Sequence, residues 1–122
     1  LKAKSQKHFF CLCANANLYI EGRMPPVDLF RQNNCNIVLG TDSYSSNWSL
    51  SILDEMRRIQ QESAYTIPTD EILQWATING AQALGMDDEL GSFTKGKKPG
   101  LVLLDNLHNT NITEKTTARR VL

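Results

Sequence analysis

Asn36-Ile37-Val38-Leu39-Gly40-Thr41-Asp42-Ser43 is the stretch on which the fold class turns. Ile37, Val38 and Leu39 follow one another without polar alternation, as in a strand covered on both faces inside a parallel sheet. The pattern predicts a strand over 36–41. Asp42 then stands just past the strand's carboxyl end, where α/β sheets place their ligand sites. An aspartate there also serves as a helix N-cap or turn residue, and position alone leaves both roles open.

Upstream, 9–13 is a short run of aromatic, leucine and cysteine residues that predicts a second buried strand, opening into a polar loop at Asn15 and Asn17. Pro25 and Pro26 punctuate the chain. A short helix over 27–32 is expected after them, started by proline's fixed φ and closed by Asn33-Asn34. Downstream, Leu50, Leu53, Met56 and Ile59 recur at three-residue spacing and predict a helix. Another is expected to begin near Pro68, carry Ile72, Leu73 and Ala76 on one stripe, and stop at a left-handed Asn79-Gly80 cap. One more helical turn, 81–84, is ended by Gly85. Beyond it, Gly91, Gly96, Pro99 and Gly100 crowd a basic loop, and 101–105 is a second solid apolar run, read as a β element outside the βα repeat. The remainder, 106–122, has scattered apolar residues and reads as an edge strand or a loose tail.

With 122 residues the chain has the size of one domain. Lys plus Arg and Asp plus Glu number 13 each, and the zero net charge argues against nucleic-acid and anionic-membrane partners. A hydrophobic content of 41% with 21% charged residues is the composition of a chain with a packed core. No apolar run approaches the roughly 20 residues of a membrane-spanning helix. The basic N-terminus leads into too short an apolar stretch for a signal peptide. Three cysteines do not make a disulfide framework, which favours a reducing, cytoplasmic setting. The absence of an initial Met raises the expectation of a piece from a longer polypeptide.

Two further patterns are weak. Gly91 to Lys98 nearly matches a phosphate-cradling loop, but Lys98 stands where Ser or Thr belongs and Pro99-Gly100 follows instead of a helix, so a solvated turn is expected. His8, Cys11 and Cys13 offer metal donors, yet a structural zinc needs four converging ligands, and Cys35 and His108 lack paired spacing. Buried, unreactive thiols are the stronger expectation. Asn15, Asn17 and Asp42, by contrast, fall at neighbouring strand ends and open onto one rim.

Taken in order, these segments resemble the metal-dependent amidohydrolases, in the branch of cyclic amidine and aminopurine deaminases and chlorohydrolases. The matching parts are Cys-Ala-Asn-Ala-Asn at 13–17, Gly-Thr-Asp-Ser at 40–43 with Ser46-Asn47, Glu55-Met56, Ala-Thr-Ile-Asn-Gly-Ala at 76–81, Ala83-Leu84-Gly85, Leu90-Gly91-Ser92, Gly96-Lys97 and Leu-Val-Leu-Leu-Asp at 101–105. The resemblance implies the C-terminal part of a (β/α)8 barrel, about its last two βα units with strands seven and eight, over 1–88. It implies part of an accessory β-sandwich and a tail over 89–122. By the same resemblance Asp42 is the aspartate that ligates a divalent metal, zinc or iron, and shuttles a proton between the attacking water and the leaving group. Asn17, with Asn15, Ser43 and Ser46, lines the pocket of a small heterocyclic substrate whose C–N or C–halogen bond is hydrolysed.

The chain departs from the family's pattern at Ala14 and Ala16, where Pro and Ser are usual, and at Pro99-Gly100, where Ala-Asp is usual. The family's His-x-His pair and its two single metal-binding histidines are not matched by His8 or His108. The 122 residues are therefore expected to be inactive and metal-free alone, and to associate with themselves or with the remainder of the barrel. The alternative is a non-catalytic α/β interaction module that self-associates or binds a partner.

Overall fold

In a computed structural model, which describes residues 7–122, β1 (Phe9–Leu12) and β2 (Asn36–Leu39) pair in parallel, with Phe9 opposite Asn36 and Leu12 opposite Leu39. The basic opening stretch, 1–6, lies outside the described residues. The Asn36 side chain donates to the His8 carbonyl at 2.9 Å, and the Gly40 N–H donates to Leu12 at 3.1 Å, so the pairing is tied at both ends. Each strand is shorter than the sequence predicts, because Cys13 and Gly40 already turn away from the sheet.

Between the strands run α1 (Ala14–Glu21) and α2 (Val27–Gln32). The second occupies the residues expected of it. The first corrects the sequence reading: Asn15 and Asn17 sit in a helix, where a polar loop was expected. The reason is nonlocal. Cys13 precedes the helix without a side-chain cap, and the carboxylate of Glu55, forty positions on, accepts from the Asn15 backbone N–H at 3.0 Å. This supplies a partner for one of the amides that every helix start leaves free.

After β2 come α3 (Ile52–Glu62), α4 (Thr69–Ala76) and α5 (Ile78–Ala83). Ser51 caps α3 by accepting from the Asp54 N–H at 3.2 Å. Met56 and Ile59 of α3, Ile72 and Trp75 of α4, Ile37 of β2 and Leu12 of β1 form the buried core with Val27, Ile67 and Ile112. The expected cap at Asn79-Gly80 is not formed. The chain breaks earlier, at Thr77 (φ −127°, ψ −90°), and Asn79 and Gly80 are helical. The Asn79 amide donates instead to the Ile37 carbonyl at 2.8 Å, pinning α5 against β2, and the left-handed residue is Gly85.

Gly91 packs on α5 at φ +83°; a Cβ there would lie 2.7 Å from that of Ala81. The Gly91 to Lys98 segment continues as turns with no helix after it. β3 (Val102–Asp105) then pairs antiparallel with β4 (Thr117–Arg120). The segment between them is firmly held. Ile112 is fully buried, its N–H donates to Gln60 Oε1 at 2.7 Å, and the Arg57 guanidinium donates to the carbonyls of Thr113 and Thr116 at 2.9 and 2.8 Å. The end of the chain is thus an ordered strand and a core contributor, which excludes the loose tail. No helix among the described residues is long and apolar enough to cross a membrane.

Candidate active-site rim

The carboxyl ends of β1 and β2 lie side by side, and the residues that follow them form the rim. Asp42 is exposed and adopts φ +58°, a left-handed conformation uncommon for a residue with a side chain. The Thr41 carbonyl just before it accepts from the Asn47 amide at 2.7 Å. Among the described residues, Asp42 takes part in none of the ion pairs. The carboxylate therefore faces outward, on a backbone that is held from beneath.

The two rim thiols pack against Gly40. A Cβ at that position would meet the Cys11 sulfur at 2.7 Å and the Cys13 sulfur at 3.2 Å, so only glycine leaves room for both. Burial, followed by the neighbouring Cys11 thiol and then Glu55, pushes the Cys13 thiol up to about 11, against the opposing effect of the Asp42 N–H. Cys13 is protonated at neutral pH and correspondingly poor as a nucleophile or metal ligand. The expectation of buried thiols needs correction, since Cys11 is exposed and Cys13 half-buried. Among the described residues no group of three or more His, Cys, Asp or Glu side chains converges as a metal site.

The segment after Asp42 is a tight turn closed by its own serines. The Ser46 N–H donates to the Ser43 carbonyl at 3.1 Å. The Ser46 hydroxyl accepts from the Ser43 N–H at 3.2 Å and donates back to the Ser43 carbonyl. Ser46 is buried and spends its hydroxyl inside the turn, whereas Ser43 is exposed.

Asn15 is also turned inward. Its amide donates to Glu55 Oε1 at 3.1 Å, and its carbonyl accepts from Arg58 Nε at 3.0 Å. Asn47 completes the cluster, donating to Glu55 Oε1 at 2.8 Å and to the Thr41 carbonyl at 2.7 Å. Asn17 is half-buried, two positions further along α1. Hydrogen bonds through Glu55 and Asn47 thus link Asn15 to the Thr41 carbonyl, next to Asp42, while the Asp42 side chain takes no part in this cluster. Glu55, fully buried, is the residue that sequence reasoning did not single out for a role. The available signal was an acidic residue on the apolar stripe of α3, one position before Met56. A cavity of about 170 Å³ beside the cluster is lined by Asn15, Asn47, Trp48 and Arg58. Asp42 does not line it, so the cavity is separate from the rim carboxylate.

Residues 1–122 match the profile of the Amidohydrolase family. A 5-methylthioadenosine/S-adenosylhomocysteine deaminase from Saccharophagus degradans is 33% identical over 99 residues, covering 76% of this chain and 22% of the relative. A 5'-deoxyadenosine deaminase from Methanobrevibacter smithii is 33% identical over 112 residues, covering 87% and 25%. The crystal structure of an adenosine deaminase from Xanthomonas campestris with bound zinc superposes with a TM-score of 0.69 at 29% identity, over 80% of this chain and 24% of that one. The chain thus spans about a quarter of the length of these relatives.

Proposed function

Because this chain belongs to the amidohydrolase family, we propose that it forms the C-terminal part of a metal-dependent deaminase acting on a C–N bond of a small heterocycle. In this reading residues 1–88 are the last two βα units of a barrel and 89–122 belong to the accessory β-sandwich. The observation that carries it is the placement of Asp42: an outward carboxylate at the carboxyl end of a parallel strand, beside a second strand end.

The donor set fits one part of a metal centre. Asp42 offers a hard oxygen ligand suited to a zinc or iron(II) ion, and the other ligands come from outside the described residues. When bound, such an ion supplies the Lewis acidity that makes water a nucleophile near neutral pH. Asp42 would be one ligand of the ion and would carry a proton from the attacking water to the leaving nitrogen. Asn17 and Ser43 face the substrate, while Asn15 and Ser46, whose polar groups are used internally, shape the rim. The chain alone lacks the ligands for turnover and is inactive in this reading.

In the complete enzyme, Asp42→Asn is expected to lower turnover by roughly two to four orders of magnitude, the scale of lost general acid–base catalysis. Near-normal kcat in a folded, metal-loaded Asp42→Asn enzyme would overturn the assignment.

A further inference from the structure

We infer that Glu55 is a positioning residue for this reaction: its buried carboxylate locks the segments that follow β1 and β2 to each other and so fixes the peptide that carries Asp42. The inference rests on the reading of Asp42 as the reacting carboxylate. Glu55 accepts three hydrogen bonds, from the Asn15 N–H, the Asn15 amide and the Asn47 amide. The first two hold the start of α1, and the third belongs to the segment after β2. The second hydrogen of the same Asn47 amide goes to the Thr41 carbonyl.

The peptide linking Thr41 to Asp42 is consequently held at its carbonyl, which accepts from the Asn47 amide at 2.7 Å. With that carbonyl held, rotation about the Asp42 N–Cα bond is what remains to set the direction of its side chain. Asp42 at φ +58° needs such restraint, since a non-glycine residue persists there when its surroundings hold it.

Completing the start of α1 accounts for the contacts to Asn15, and the bond from Asn47 extends the same carboxylate to the segment after β2. Burying a charge carries a large desolvation cost, and well-packed apolar replacements of buried charges are often as stable or more so. The partners of Glu55 lie at the two strand ends, and Asn15 and Asn47 are themselves buried, so the acceptor links the rim segments rather than the core.

The test uses the complete metal-loaded enzyme that contains this chain. Glu55→Gln puts an amide donor against the Asn amide donors. The double variant Glu55→Gln with Asn15→Asp gives that donor an acceptor, which Arg58 also satisfies, but leaves the Asn47 amide facing a donor. Positioning predicts that Glu55→Gln lowers kcat roughly ten- to hundredfold, as small misplacements of reacting groups do, with KM changed by less than about twofold. It further predicts that the double variant regains its melting temperature but not its kcat, and that amide hydrogen exchange over 40–47 is faster in both. A kcat that recovers together with the melting temperature, or exchange over 40–47 unchanged from wild type, overturns the inference in favour of a structural role. Asp42→Asn measured alongside separates the two readings. If it turns over normally, the catalytic assignment fails, while hydrogen exchange still reports on the Glu55 clamp.

Discussion

At Gly40 a single hydrogen atom decides whether two sulfurs fit. Gly40→Ala would push a methyl group to within 2.7 Å of the Cys11 sulfur, and overpacking of this kind costs about 1–3 kcal/mol. Removing the obstruction with Cys11→Ala in the same chain is expected to recover most of that loss in a denaturant melt; two additive losses would show that the strain lies elsewhere. Cys13 adds a pH dependence. Its thiol titrates at about 11 in the folded chain against an ordinary 9.0, so the unfolded chain loses this proton first as pH rises. The contribution is constant below the unfolded value and declines between about 9 and 11. Stability measured at pH 8 and pH 10 should fall more steeply in wild type than in Cys13→Ser, and equal slopes would contradict the assignment. None of this was legible in the sequence, where Cys11 and Cys13 read as thiols of a buried strand and Gly40 fell within the strand expected over 36–41.

At the scale of elements, the helices differ in how far they could be foreseen, and the difference is physical. α2 carries its own start and stop signals, Pro26 before it and Asn33-Asn34 after it, and these are local. α1 has no such signal; Ala-Asn-Ala-Asn has neither apolar periodicity nor an N-cap, and its start is completed by a carboxylate from α3. Asn79-Gly80 does not act as a stop: the break falls at Thr77, and Asn79 donates to the distant Ile37 carbonyl from within α5. The segment between β3 and β4 looked loose because its apolar residues are sparse, yet Ile112 is fully buried and its neighbours bond to α3. Ile112→Ala should therefore cost roughly 2–5 kcal/mol, as for a core aliphatic. A loss under about 0.5 kcal/mol, the level of a surface change, would show that the segment does not share the core of α3 and α4.

For the molecule as a whole, the order of short motifs made the family legible while the arrangement of the site stayed partly hidden. Asp42 stands where one strand and one resemblance put it, at the strand's carboxyl end; the Glu55 link between two strand ends leaves no local sequence signal, because its partners are separated by up to forty positions. The same two strands govern how the chain should behave in solution. A parallel sheet is stable when helices or further strands cover it, and two strands alone leave unpaired edges. On β1, Phe10 remains 41% exposed and Cys11 is exposed, and Val102 on β3 is 59% exposed. Covering such surface is favoured by roughly 25 cal/mol for each Å² of apolar area removed from water, which drives association wherever the covering partner is missing. The isolated chain is accordingly expected to run above its monomer mass in light scattering. In the barrel-segment reading proposed above, supplying the remaining barrel units should return it to a defined one-to-one complex, because the open strand edge then pairs as it would within a closed sheet. A monodisperse monomer with a cooperative thermal transition would defeat this expectation and favour an autonomous module, since it would mean that four strands and five helices already bury enough surface to stand alone.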